Sequence, residues 1–367
     1  MSPEPLLVRV TARLRVDAAK LGVGSVMLTV TLACAMALSG GAAAARPSGS
    51  RIVWSRFEGK ISNRLQLVSA RPDGNGLRVL THPGKNTQDI DASISPNGRL
   101  VAFERDLNGE TARIALIRAN GKGERSLDLG CVDPCVADDA PTWLPGGGRI
   151  AFTPVIGPFD QPHHSARSAV LNTALRDGSD VRRLSQPGID GKFEDYRARY
   201  SPNGSYIVFN RGRIAGPGGV AIFRMNADGT NVRRLTPWSL GADVIDLSPA
   251  TSGPTKNRIV FETYGMGPPN GKGQNVATVP SNCTSVSECR KRIRYVTHNR
   301  GGAVQSFNPS WSPSGHRIAY VKFMPGDKHT PPVGDIWTAR PDGTHRIAVS
   351  TSPLFEFRPD WGPATRG

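Results

Sequence analysis

The sequence predicts an all-β fold, a six-bladed β-propeller of four-stranded blades whose ring is closed by pairing of the N- and C-terminal strands. Three observations carry that prediction. A Pro/Gly turn leading into an apolar strand recurs along the chain, an Asp-Gly or Asn-Gly signal follows most copies, and the two ends carry complementary halves of one further copy.

The first signature is Ser95-Pro96-Asn97-Gly98-Arg99-Leu100-Val101-Ala102-Phe103. It returns at Leu144-Pro145 to Phe152, at Ser201-Pro202 to Phe209 and at Ser312-Pro313 to Tyr320, with a copy interrupted in its turn from Leu247-Ser248-Pro249 to Phe261. Each copy is a strand, a turn and a second strand with the apolar content of a buried sheet. The second signature is Asp73-Gly74, Asn120-Gly121, Asp177-Gly178, Asp228-Gly229 and Asp342-Gly343. Such dipeptides between strands mark tight hairpins, which need positive φ. Each repeat therefore holds four strands, A to D, with the Pro/Gly turn joining A to B and the Asp-Gly turn joining C to D. The prolines at 96, 145, 202, 249 and 313 are spaced by 49, 57, 47 and 64 residues. Four-stranded units at that period are propeller blades.

Pro47 to Trp54 matches Pro313 to Tyr320 but lacks a strand A before it. Phe357-Arg358-Pro359-Asp360-Trp361-Gly362-Pro363 matches Phe307 to Pro313 but lacks a strand B after it. One blade built from both ends brings the count to six and removes two free sheet edges.

At these residues the sequence resembles the TolB-like propeller family, whose repeat reads aromatic-Ser-Pro-Asp-Gly followed by an Ile-Ala-Phe-like strand. The likeness runs over about residues 47–363 and is more specific for fold than for function. The family's namesake is periplasmic and contacts envelope proteins, which implies an exported binding module. It also carries an α/β domain ahead of its propeller, for which this chain is expected to have no room, so its particular partners are not carried over.

Residues 1–45 read as a secretory signal: Arg9, Arg13, Arg15 and Lys20, then an apolar run of 18 residues from Leu21 to Leu38, then small residues ending at Ala45. The run is long enough to serve as an uncleaved anchor instead. Residues 46–367 are read as a single propeller. The chain carries a net charge of +16, and +14 remains without the leader. That bias favours anionic polymers or membrane surfaces, and export argues against nucleic acid. Four cysteines follow the leader, an even number bound for an oxidising compartment. Three pairings exist, and the short separations favour Cys131 with Cys135 and Cys283 with Cys289. Each such bridge stabilises by roughly 2 kcal/mol on the chain-entropy model. No histidine stands at finger-like spacing from either pair, so no metal is expected there.

Three features bear on function. Counting seven residues back from each anchoring proline gives Asp89, Asp138, Asp195, Ala242, Ser306 and Glu356, with Asp243 beside the alanine. These carboxylates read either as an acidic collar at the channel mouth, receiving a cationic group from a partner, or as caps of the D to A turns. Arg78, Arg125, Arg182, Arg183, Arg233, Arg234, Lys291, Arg292, Arg294 and Arg346 fall in the outermost strands, either to block edge pairing or as a basic girdle for anionic surfaces. The long B to C segments, residues 153–168, 210–219, 262–274 and 323–333, share one face, as binding insertions or as neutral ones.

Catalysis is the rival class. Some secreted lyases of acidic sugars resemble the same repeat and hold a metal on central histidines. Here only His163 and His164 are adjacent, and neither Gly-x-Ser-x-Gly nor His-Glu-x-x-His occurs. The reading is a monomeric, non-enzymatic, cofactor-free propeller that binds an envelope or extracellular protein through its long-loop face, in the periplasm, at the cell wall or outside the cell. A carbohydrate lyase or hydrolase is the alternative.

Overall fold

A computed structural model describes residues 49–59, 64–109, 111–156, 168–186, 192–213, 219–263, 273–300, 304–326 and 332–364. Residues 1–45, read as a secretory signal, His163 and His164, and most of the long B to C segments lie outside the described residues. Among the described residues no helix is long and apolar enough to cross a membrane.

The strands group into antiparallel units in which A, B, C and D pair in that order. One unit is Thr87–Ile94, Leu100–Leu107, Thr111–Arg118 and Arg125–Ser126. The pattern repeats with A strands at Cys135–Trp143, Phe193–Tyr200, Ala242–Leu247 and Gln305–Trp311. In the remaining unit the C-terminal strand Glu356–Pro363 supplies strand A and pairs with Ser50–Phe57 as strand B, in a register that sets Ile52 opposite Trp361 and Arg56 opposite Glu356.

Strand B is the centre of each unit. Ile52 to Trp54, Val101 to Phe103, Ile150 to Phe152, Ile207 to Phe209, Ile259 to Phe261 and Ile318 to Tyr320 are all buried. Both faces of the sheet are covered, so these strands read as continuous apolar runs. The apolar layers lie between consecutive units. Leu67 and Val53 of one pack with Ile94, Val101 and Phe103 of the next, and Ile114 and Leu116 pack with Trp143 and Phe152 beyond. Between the Gln305–Trp311 unit and the one built from both ends the layer is aromatic, with Phe323, Phe355, Phe357 and Phe57 in contact.

The turns explain both repeat signatures. In the A to B turn the hydroxyls of Ser95, Ser201 and Ser312 accept the N–H of Leu100, Tyr206 and Arg317 at 2.9, 3.1 and 3.0 Å. In the C to D turn Asp73, Asn120, Asp177, Asp228 and Asp342 each accept an N–H two residues on. The following glycines serve a second purpose. A Cβ on Gly74, Gly178, Gly229 or Gly343 would stand 2.5, 2.6, 2.4 or 2.3 Å from a carbonyl oxygen at the end of the preceding strand D. These hairpins are seams between units as well as turns.

Candidate functional site

Strand A lines the middle of the fold, and each copy carries a bulge. Asp91, Ala140, Arg197, Val244, Asn308 and Arg358, each five residues before its anchoring proline, adopt φ between 42° and 55°. None is glycine, so each sits in the costly left-handed region and is held there by its surroundings. The pairing register of strand A with strand B shifts at all of these bulges.

The bulges gather charged side chains. Arg197 donates to both oxygens of Asp91 at 3.0 and 3.2 Å, and Arg358 donates to the same carboxylate. Burial alone would raise the pKa of Asp91, but the two guanidiniums override it and hold the carboxylate well below its usual range. Arg199 pairs with Asp246 at 3.4 Å. Asp246 in turn accepts the N–H of Trp311 from the next unit at 2.7 Å, and Asp360 accepts that of Ile94 at the same distance. Burial, and then Asp246, push the pKa of Asp360 up to about 7. The space left between these groups is about 30 Å³, room for a water molecule or two.

Carboxylate oxygens of Asp91, Glu104 and Asp139 lie within 4.8 Å of one another. Burial and then the Asp139 charge hold Glu104 well above its ordinary pKa. The two arginines on Asp91 offset part of the negative charge of the cluster. Among the described residues His82, His298, His316 and His345 are exposed, while His163, His164 and His329 lie outside them.

The five carboxylates read as a collar are buried, none more than 2% exposed. Asp89 receives Arg105 at 2.7 and 2.9 Å, and Asp195 receives Arg211 at 2.6 and 2.9 Å. Asp243 accepts the N–H of Val244 at 2.8 Å. Glu356 lies beside Ser350 and Trp54, its pKa raised by burial to about 7. Asp138 has no hydrogen-bond partner among the described residues. Burial raises its pKa to about 6, with Arg113 partly offsetting and Asp128 adding to the shift.

The difference traces to the corner before each strand A. Thr81, Ser185, Thr236, Thr297 and Ser350 accept an N–H from strand C of their own unit, at 2.9 to 3.0 Å. The hydroxyls of Thr81 and Ser185 also act on Asp89 and Asp195, drawing their pKa values down against the larger effect of burial. Asp128 stands at the matching corner before Asp138. Each of the five carboxylates is buried on its own strand A.

Both expected cysteine pairs are bonded, Cys131 to Cys135 and Cys283 to Cys289. The outer strands carry Arg78, Arg125, Arg182, Arg183 and Arg294 in exposed positions, with Arg233 and Arg234 half-buried. Lys291, Arg292 and Arg346, also expected there, are exposed beside those strands. One feature was not anticipated from sequence. Trp238, in a single 3-10 turn before Ala242, stacks on Phe193 at 5.8 Å and receives Arg213 over its ring at 4.3 Å. Only a lone Trp after Thr236-Pro237 could have signalled it.

Four-stranded antiparallel units packed face to face around bulged inner strands define an all-β propeller. No family model matches the chain. It is 30% identical over 331 residues to the Protein TolB homolog of Chlorobium luteolum, covering 90% of this chain and 64% of that protein. It is also 30% identical over 129 residues to the uncharacterised protein Atu1656 of Agrobacterium fabrum, covering 34% of this chain and 39% of that one. The chain thus spans less than two thirds of the length of either curated relative. Among solved structures, TolB from Acinetobacter baumannii superposes with a TM-score of 0.61 at 18% identity, over 85% of this chain and 66% of that one. The chain is thus similar in sequence to a TolB homolog over most of its length and shares the propeller fold of TolB.

Proposed function

We propose that this chain is an exported, non-enzymatic propeller that docks a protein partner on the face formed by its B to C and D to A connections. In this reading residues 1–45 are the export signal, and residues 46–367 form one ring of six blades, closed where Glu356–Pro363 pairs with Ser50–Phe57. The observation that carries the docking face is the Trp238 cluster. Phe193, Arg213 and Trp238 meet at the edge where strand A begins and strand B ends. Tryptophan and arginine are the side chains that most often anchor protein interfaces.

Among the described residues the space between the bulged strands, about 30 Å³ and hemmed in by ion pairs, is too small for a sugar ring, which supports docking over catalysis at that point. Burial of Asp89 and Asp195 against arginines supports assigning those two to the blade corners, with the partner seated on the rim around them. The exposed arginines of the outer strands would hold the protein near anionic surfaces.

The test is in-cell crosslinking of the full chain, in parallel with Trp238→Ala and Arg213→Ala. We expect one dominant captured protein in the exported fraction, lost in both variants while melting temperatures stay within a few degrees of the parent. Capture unchanged in both variants removes this face from the reading. Turnover of an acidic oligosaccharide by the purified protein overturns the non-enzymatic assignment.

A further inference from the structure

A second site opens on the opposite edge, where the A to B and C to D turns lie. Between the unit built from both termini and the one that follows it, a cleft of about 420 Å³ is lined by Arg51, Arg78, Arg99, Arg118 and Arg176. No aspartate or glutamate lines it. Among the described residues none of the five arginines pairs with a carboxylate, whereas Arg105, Arg149, Arg182, Arg197 and Arg211 elsewhere in the fold all do.

The floor is rigid. It is the junction itself, where a Cβ on Gly98 would stand 2.4 Å from the carbonyl oxygen of Pro363. Arg51 is fixed from behind by the carbonyl of Gly76 at 2.7 Å and by the carbonyl and hydroxyl of Ser69 at 3.0 and 3.1 Å. Burial, then repulsion from Arg78 and Arg71, hold its pKa below the ordinary arginine value. The corresponding arginine two units on, Arg149, likewise donates to the carbonyl of Asp180 at 2.7 Å, but it also donates to the Asp180 carboxylate at 2.6 Å. In the Arg51 unit that residue is Gly76, and the neutralising group is missing.

We propose that this cleft binds a ligand carrying two or more phosphate groups a few ångströms apart. Guanidinium forks match phosphate oxygens two at a time, and five uncompensated cations in so small a space call for dense negative charge. A phosphate chain supplies that density; a uronic acid brings one charge per ring. The ligand is either a soluble oligophosphate or the phosphodiester backbone of a polymer.

Calorimetry on the full chain at low and at moderate salt tests the site, with tripolyphosphate and a glycerol-phosphate oligomer as probes. One tripolyphosphate is expected per chain, with weaker binding as salt rises. Arg99→Gln and Arg118→Gln, both at exposed positions, should each weaken it about ten-fold without moving the melting temperature. Arg182→Gln with Arg233→Gln, in outer strands away from the cleft, should leave it unchanged. Tighter binding of the oligomer identifies a polymer backbone, and tighter binding of tripolyphosphate a soluble ligand. No binding at low salt, equal loss in the outer-strand variant, or an equally tight uronate trimer would overturn the proposal.

Discussion

Two junctions in this fold solve one problem in opposite ways. At most of them the C to D hairpin of one unit presses a glycine against the last carbonyl of the preceding strand D, as Gly229 does at Leu184 and Gly343 at Val296. At the junction between the Phe193–Tyr200 and Ala242–Leu247 units that hairpin is absent. In its place stands a short helix, Val286–Lys291, capped by Ser285 accepting the N–H of Glu288 at 3.2 Å. Cys283 and Cys289 are fully buried there against Leu235 and Leu240. One seam works because a side chain is missing, and the other because a disulfide fills the space. The glycine seam is rigid and intolerant, whereas the disulfide seam depends on the redox state of its compartment.

The comparison breaks most sharply at the glycines. In Gly343→Ala the new Cβ meets the Val296 oxygen at 2.3 Å, on a backbone with φ +81°. We expect a loss of about 3 kcal/mol, since strain and overpacking act together. Gly76→Ala, at φ +66° but with nothing nearer than 3.9 Å, should lose only about 1 kcal/mol. Thermal melts of the pair separate the seam from the turn, and equal losses would reduce the seam to turn chemistry.

The disulfide seam comes next in size. Replacing Cys283 and Cys289 with alanine should lose about 2 kcal/mol on the loop-entropy estimate, and more where buried volume is lost as well. The same change at Cys131 and Cys135, both half-buried where a D to A connection enters strand A, should lose less. Denaturant midpoints under oxidising and reducing conditions check both. If the reductant leaves the midpoint unmoved, the helix rather than the bond holds that seam.

Much of this was legible because it rests on local chemistry. Pro/Gly turns and Asp-Gly hairpins mark where strands must reverse, and the matching halves at Pro47 and Phe357 follow from the same repeat. The missing Asp-Gly and the cysteine pair in the interrupted unit pointed to the odd seam. The centre was not legible, because left-handed bulges at Asp91, Arg197 and Arg358 carry no glycine and their partners lie 106 and 267 residues apart along the chain. The phrases Asn308-Pro309-Ser310-Trp311 and Arg358-Pro359-Asp360-Trp361 repeat the bulge without disclosing its backbone. The carboxylates before each anchor were found by spacing, yet spacing gives no sign of burial. Whether a buried aspartate meets an arginine depends on the residue opposite it in strand B, which is Arg105 for Asp89, Arg211 for Asp195 and Pro154 for Asp138.

The corners offer a smaller comparison of the same kind, between Asp195 and Asp138. Asp195 is paired with Arg211, so Asp195→Asn should lose about 2 kcal/mol by leaving that guanidinium uncompensated. Asp138 is buried without a hydrogen-bond partner among the described residues, and Asp128 replaces the corner hydroxyl nearby. Its folded-state pKa of about 6 lies above its ordinary value. From the ordinary carboxylate range up to about pH 6 the folded chain therefore binds more protons than the unfolded one, so this group's contribution to stability falls as pH rises through that window. In Asp138→Asn that decline disappears. The variant should melt slightly above the parent at pH 8, and the gain should vanish near pH 4. Melting curves at both values, with Asp195→Asn alongside, decide the point. A gain that persists at pH 4 would mean that the asparagine helps through packing, and a loss at pH 8 would mean that the Asp138 carboxylate has a partner in the folded chain.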